Sequence, residues 1–337
     1  MLHPLIAVSD SAFPNLDPAR MLLAKCDAEL RLAEEPTPDA ILTVARNADA
    51  VLVTYAQVTG EMIRQMMRCR IIARFGVGVD NVDIGAATEA GIVVTNVPDY
   101  CIDEVSDHAM ALLLALARKV SLANRHAHAG RWEMPSVAPI HRLRGSILGL
   151  LGFGRISQLL TPKAQAFGLS VISCDPLVEQ QAMTRTGVEK VDFRELIRIS
   201  DFISIHAPLV PETNRLFDGK VFRQMKPSAY LINTARGAIV DEAELAHALD
   251  KGQLAGAALD VLSREPPQNS PLLGRENVIL TPHTSFYSVE SLIDLQTRAT
   301  EEVLRVLGGE KPHNAVNPEA LKVGRHRVLN RGHSIRV

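Results

Sequence analysis

The sequence predicts an α/β protein built on parallel sheets in two domains, and three observations predict it. Short aliphatic or β-branched runs alternate with helical patterns along nearly the whole chain, as strand–helix–strand crossovers require. At 337 residues there is room for two ordinary cores. A composition that is 47% hydrophobic and 22% charged belongs to a compact protein, not a disordered one.

In the first hundred residues the predicted strands are LIAVSD (5–10), AVLVT (50–54), RIIARFG (70–76) and IVVTNV (92–97), with helices between them. Together they form one small α/β domain. A helix is predicted over DEVSDHAMALLLALARKV (103–120), with Asp103 as N-cap. Ala109 to Ala117 are apolar on every face, so this helix is expected to be buried all round, in an interdomain core or a subunit interface. The apolar run falls well short of the ~20 residues that cross a bilayer. GRWEMPSVAPIHRLRG (130–145) reads as a linker. A second series of strands follows: SILGLLG (146–152), SVISCD (170–175), FISIHA (202–207), YLINTA (230–235), GAALDV (256–261) and NVILTPH (277–283). An amphipathic helix over 289–309 leads to the tail GRHRVLNRGHSIRV (324–337), which reads either as an anion-binding arm or as a solvated terminus.

A formal charge of −2 provides no general attraction to nucleic acid or to anionic membranes. The start MLHPLIAVSD lacks the basic region and apolar core of a signal peptide, so a cytoplasmic location is expected. Cys26, Cys69, Cys101 and Cys174 are widely spaced and predict neither a zinc site nor a disulfide framework. His126 and His128 in HAHAG fall on different faces of a helix, so no metal is expected there.

GLLGFGRIS (149–157) sets a Gly-x-Gly pair between a strand and a helix. Gly152 permits the tight turn, and Gly154 lets the main chain approach a pyrophosphate seated on the helix N-terminus. Asp175 ends the next strand, where an acidic residue binds the ribose hydroxyls. A carboxylate there repels the extra phosphate of NADP, and no arginine follows in PLVEQQ, so the expected cofactor is NAD. Ser157 stands where the fingerprint has its third glycine and is expected to intrude slightly on helix–strand packing. Pro162 falls inside the predicted helix 155–167, where it is expected to cost ~3 kcal/mol or to produce a kink.

The last three strands each run into polar residues: Arg236 after YLINTA, Asp260 and Glu265 around the end of GAALDV, and His283 after NVILTP. Parallel strands deliver these loops to the carboxyl edge that also carries the cofactor. An arginine binds a carboxylate through paired hydrogen bonds, and a glutamate beside a histidine fixes its tautomer and favours its protonated form. Singly, each has a duller reading as a surface ion pair or a structural histidine. Together with a nicotinamide, the set is what reduction of a 2-keto acid requires.

Through GFGRIS, NTARGAIVDE, ALDVLSREPP and LTPHTS, and through RFGVGVDNVDI and NVPDYCIDEVSDHA, nearly the whole chain resembles the D-isomer-specific 2-hydroxyacid dehydrogenases, especially the C-terminal-binding-protein-like branch. The resemblance implies two Rossmann-like or flavodoxin-like domains, the NAD domain (103–288) being inserted in a discontinuous substrate domain (1–102 and 289–337). It implies His283 as acid/base, Glu265 as its partner, and Arg236 as the group that binds the substrate carboxylate and polarises the carbonyl. Main-chain groups of Val77 and Gly78, with Arg74 nearby, are implied for the carboxylate, and Phe286 for the border of the pocket. For the cofactor it implies Arg155 and Ile156 at the pyrophosphate, Asp175 at the ribose, His206 and Thr213 nearby, and Thr234, Ala235 and Asp260 near the nicotinamide. A homodimer using helix 103–120 is implied as well. Related formate dehydrogenases carry glutamine at the position of Glu265, which disfavours formate. The chain is short for the regulatory extension of many phosphoglycerate dehydrogenases, which disfavours that assignment too. The competing expectation is an NAD(H)-sensing interaction module resembling the corepressors of the same branch.

Overall fold

The computed structural model describes residues 3–323. The tail 324–337 lies outside the described residues. The chain forms two compact units, one running to Tyr100 and resuming at Ser288, the other spanning Cys101–Tyr287.

The first unit is a sheet of five parallel strands: β1 (Leu5–Val8), β2 (Glu29–Leu32), β3 (Ala50–Val53), β4 (Ile71–Arg74) and β5 (Val93–Thr95). Their order, β2-β1-β3-β4-β5, is the flavodoxin-type doubly wound arrangement. Strands β3 and β5 are buried at every position, as a sheet covered on both faces requires. Strand β2, which the sequence pattern did not predict, is the exposed edge; its residues ELRL pair with β1 from Leu5↔Glu29 onward. Helix Val289–Leu307, opened by a Ser288/Ser291 capping box, buries Leu292, Leu295, Ala299, Val303 and Val306 and packs on β3 and β4. Beyond it, Asn317 serves as an edge partner for β5. Its buried amide accepts from Val94 N at 2.7 Å and donates to Ile92 O at 3.1 Å and Thr88 Oγ1 at 2.9 Å.

The second unit is a seven-stranded parallel sheet: β6 (Ile147–Leu151), β7 (Ser170–Cys174), β8 (Glu189–Lys190), β9 (Phe202–Ile205), β10 (Tyr230–Asn233), β11 (Gly256–Leu259) and β12 (Val278–Leu280). The order β12-β11-β10-β9-β6-β7-β8 reverses at β6, the Rossmann pattern with a seventh strand. At that reversal the loops after β6 and β9 leave in opposite directions, and a crevice opens at the carboxyl ends. Helix Ile102–Ala117 packs on β10, β11 and helix Arg155–Ala166.

Two expectations for helix Ile102–Ala117 are corrected. Cys101, not Asp103, occupies the N-cap, and it makes no side-chain cap; Asp103 and Glu104 instead place their charges in the first turn, against the positive helix end. The helix is not buried all round: Ala111 is exposed and Leu114 and Ala115 are half-buried, because only one side of it meets the unit's own sheet and helices.

Candidate active site

The turn after β6 is tight for a visible reason. Gly152 adopts φ +91°, and a Cβ there would stand 3.0 Å from His206 O and 3.1 Å from Ala207 N, so a side chain would push β6 and β9 apart at the crevice. Gly154 is the N-cap of helix Arg155–Ala166 without a side-chain cap, and a Cβ on it would have nothing within 4 Å. The helix start is thus uncapped by a side chain and has space beside Gly154, which suits a bound pyrophosphate. Arg155 is exposed and Ile156 half-buried at this end.

Ser157 does not intrude. It is buried, and its hydroxyl donates to Gly152 O at 2.7 Å, tying the helix to the turn. Pro162 does not end the helix, which runs from Arg155 to Ala166 with Pro162 on its exposed side, where water can meet the carbonyl that proline deprives of a donor. Asp175 accepts from Phe153 N at 2.8 Å through Oδ2 and from Leu177 N at 2.8 Å through Oδ1. These bonds hold its carboxylate beside the glycine turn.

Across the crevice, His206 Nε2 lies 2.9 Å from Ser204 Oγ, and burial pushes its imidazole down to about 4, so the ring is neutral near pH 7. Thr213 folds its loop by accepting from Val210 N at 2.9 Å and donating to Pro208 O at 2.7 Å. Thr234 Oγ1 is buried and has no hydrogen-bond partner among the described residues. Beside it, Ala235 N donates to Asn233 Oδ1. An orphaned hydroxyl, an uncapped helix end and an open glycine together fit a dinucleotide lying along the carboxyl edge.

Of the polar set after β10, β11 and β12, Glu265 and His283 meet, while the Arg236 guanidinium donates to Ala235 O at 2.8 Å. Glu265 Oε2 lies 2.6 Å from His283 Nδ1, and Glu265 Oε1 accepts from Leu262 N at 2.9 Å. Both side chains keep about a third of their surface open, 29% for His283 and 35% for Glu265, so the imidazole is braced yet reachable. The loop bearing Glu265 is held by Glu242, which accepts from Ser263 N at 2.7 Å and Ser270 Oγ at 2.7 Å. Arg236 belongs to a turn anchored by Asn233 Nδ2, which donates to Arg236 O at 2.9 Å. The next residue, Gly237, brings that turn against the Glu265 loop: a Cβ there would fall 1.9 Å from Leu262 C.

Asp260 has a role the sequence did not indicate. Its buried carboxylate accepts from Thr281 Oγ1 at 2.6 Å, Thr284 N at 2.8 Å and Ser285 N at 2.9 Å, while its main-chain oxygen accepts from His283 N at 2.9 Å. Burial by itself would raise this carboxyl, but the bonds from Thr281, Ser285 and Thr284 outweigh it and hold it below the ordinary carboxylate value. His283 sits within this clasp at φ +53°, and the Phe286 ring stands edge-on to it with centroids 6.1 Å apart.

Arg74, Val77 and Gly78 lie in the first unit, at the carboxyl end of β4. The Arg74 guanidinium folds over Gly76, Val77 is exposed and Gly78 half-buried, and Val77 O accepts from Asn96 Nδ2 at 2.6 Å. His126 is buried on helix Val120–His128 and His128 is exposed; no group of three metal-ligating side chains occurs among the described residues. Sequence reasoning missed Thr281 and Ser285, whose signal was their place on either side of His283 in LTPHTS.

The family model of the D-isomer specific 2-hydroxyacid dehydrogenase NAD binding domain matches residues 110–285. The chain therefore belongs to the D-isomer specific 2-hydroxyacid dehydrogenase family, an NAD-dependent class of oxidoreductase, and NAD is its cofactor. More particularly, it is 38% identical over 291 residues to a D-3-phosphoglycerate dehydrogenase of Methanocaldococcus jannaschii, covering 86% of this chain and 55% of that protein. The chain thus spans about half the length of that relative. It is also 38% identical over 293 residues to a glyoxylate reductase of Thermococcus litoralis, covering 85% of this chain and 88% of that protein. A solved structure of a Thermus thermophilus protein superimposes with a TM-score of 0.84 at 33% identity, over 92% of this chain and 99% of that one.

Proposed function

We propose that the protein is an NAD-dependent dehydrogenase interconverting a small 2-keto acid and the corresponding D-2-hydroxy acid, with His283 as acid/base. The observation that carries this reading is the 2.6 Å contact between Glu265 Oε2 and His283 Nδ1. A carboxylate can only accept, so Nδ1 carries a proton, and Nε2 is the nitrogen that exchanges a proton with the reacting oxygen in this reading. In keto acid reduction the imidazolium gives the Nε2 proton to the oxygen on C2; in the reverse direction neutral Nε2 takes it back. Arg236 binds the substrate carboxylate and polarises the carbonyl, stabilising charge as it develops on that oxygen. Bound NAD(H) supplies or accepts the hydride at C2.

In the same reading, Val77 and Gly78 offer main-chain N–H groups to the substrate carboxylate with Arg74 nearby, and Phe286 borders the pocket. Gly152, Gly154, Arg155 and Ile156 hold the pyrophosphate, and Asp175 the ribose. His206, Thr213, Thr234, Ala235 and Asp260 line the remainder of the cofactor path. Thr234 supports this with an unmatched buried hydroxyl. We place the protein in the cytoplasm as a homodimer. Exposed Val120, Trp132 and Met134 offer apolar surface to a second copy.

The relatives named glyoxylate reductase and D-3-phosphoglycerate dehydrogenase support a small 2-keto or 2-hydroxy acid. An NAD(H)-sensing module without chemistry is not favoured, because it has no use for a braced, solvent-reachable histidine. The test is NADH oxidation with glyoxylate, pyruvate and hydroxypyruvate. His283→Ala is expected to lower turnover by ~100-fold or more, within the range that general acid–base groups contribute, while NADH affinity stays unchanged. Equal losses in both would refute the assignment.

A further inference from the structure

His108 has no part in the contacts proposed above. It sits half-buried on helix Ile102–Ala117, 173 residues before the strand end it touches. Its Nε2 lies 3.1 Å from Thr281 Oγ1 and 3.7 Å from Asp260 Oδ1. Thr281 Oγ1 is itself 2.6 Å from Asp260 Oδ1. A hydroxyl owns one proton, and the fully buried carboxylate, which can only accept, claims it. Thr281 therefore meets His108 with a lone pair, and His108 must present Nε2–H.

This chain ends on the turn that carries the proposed acid/base. Asp260 receives Thr284 N and Ser285 N on its carboxylate and His283 N on its main-chain oxygen. Between those anchors His283 holds φ +53°, a conformation that a non-glycine residue keeps only when its surroundings over-determine it. The direction in which Nε2 of His283 points thus depends on the place of Asp260, and Thr281 is the hydroxyl through which His108 reaches that carboxylate.

We propose that His108 is a positioning residue for the reaction: its Nε2–H, acting through Thr281 and Asp260, fixes the turn that aims His283. The inference rests on the reading of His283 as acid/base. His108 touches neither cofactor nor substrate in this scheme, and its effect falls on kcat.

The test compares His108→Leu, His108→Gln, Thr281→Val, the His108→Leu/Thr281→Val double variant and His283→Gln in full-length protein, with glyoxylate and NADH as probes. His108→Leu is expected to lose about 10-fold in kcat, short of the ~100-fold that a 1 Å misplacement costs. KM and NADH affinity should stay within about twofold. His108→Gln restores a donor near the Nε2 position and should recover most of the loss. Thr281→Val should resemble His108→Leu, and the double variant should be no worse than Thr281→Val alone, as expected for residues acting in series. An unchanged kcat in His108→Leu, a Gln variant as poor as Leu, or losses that multiply would overturn the inference. If His283→Gln keeps its turnover, the acid/base reading itself fails; if it loses turnover while His108→Leu does not, only this inference falls. A measurement on unmodified protein is independent of folding defects. Nitrogen shifts of ¹⁵N-histidine-labelled protein should show His108 protonated at Nε2, and a bare Nε2 would overturn the proposal.

Discussion

Gly237→Ala perturbs the candidate site without altering any charged group. The new Cβ would lie 1.9 Å from Leu262 C, 2.2 Å from Leu262 O and 2.4 Å from Ser263 N, all of them backbone atoms that cannot rotate away. Restoring an ordinary contact near 3.4 Å requires the two loops to separate by about 1.5 Å. Glu242 holds the Glu265 loop through Ser263 and Ser270, so the displacement falls on the Arg236 turn. The pair of groups proposed to bind and protonate substrate is thereby moved apart. A 1 Å misplacement costs roughly 100-fold in rate, and overpacking costs about 1–3 kcal/mol in stability. Steady-state NADH oxidation with glyoxylate should therefore show kcat reduced by about 100-fold. NADH affinity should fall less than kcat, because the glycine turn at Gly152 and Gly154 belongs to another strand and only Thr234 and Ala235 of the proposed cofactor path lie on the displaced turn. A variant with the kcat of the parent would show that the two loops need not abut for catalysis.

Three further outcomes are expected. Asp175→Ala should lower the preference for NAD over NADP by removing the carboxylate beside the glycine turn, and an unchanged ratio of kcat/KM values would contradict the ribose assignment. Pro162→Ala should stabilise the second unit in denaturant titration by about 2 kcal/mol, the ~3 kcal/mol helix penalty of proline less its stiffening of the unfolded chain; no gain would mean that the helix already accommodates the ring. The Asp260 carboxyl is held below its ordinary value of 3.8, so its contribution to stability is present above that value and is lost as pH falls through the lower folded one. Thermal unfolding should then show a shallower acid slope in Asp260→Asn than in the parent, along with a lower Tm at neutral pH; parallel slopes would assign the acid response to other groups.

The strands that were legible in the sequence are those whose burial writes them as unbroken aliphatic runs, such as AVLV in β3 and LIN in β10. Strand β2, with Glu and Arg on an open edge, and the two-residue β8 carry no such run, and their pairing is set by the neighbouring strand. The start of helix Ile102–Ala117 was misplaced because an acidic residue serves equally well as a cap or in the first turn, and only the Cys101 backbone distinguishes them. At the glycine turn, the pattern gave the size of Ser157 but not the partner of its hydroxyl, Gly152 O, which makes the residue a tie rather than an obstruction. The meeting of Glu265 with His283 followed from parallel topology, since strand ends far apart in sequence share one edge. The clasp of Asp260, Thr281 and His108 did not follow, because it depends on where a helix packs over that edge.

The proposed chemistry depends on where Nε2 of His283 and the guanidinium of Arg236 point, and a crystal structure of the complex with NADH and oxamate, a non-reducible 2-keto acid mimic, examines this most directly. We expect His283 Nε2 within hydrogen-bond reach of the oxygen that replaces the reacting carbonyl, Nδ1 still on Glu265, and Arg236 on the oxamate carboxylate. Oxamate held elsewhere, or an imidazole turned so that Nε2 faces away from it, would contradict the mechanism.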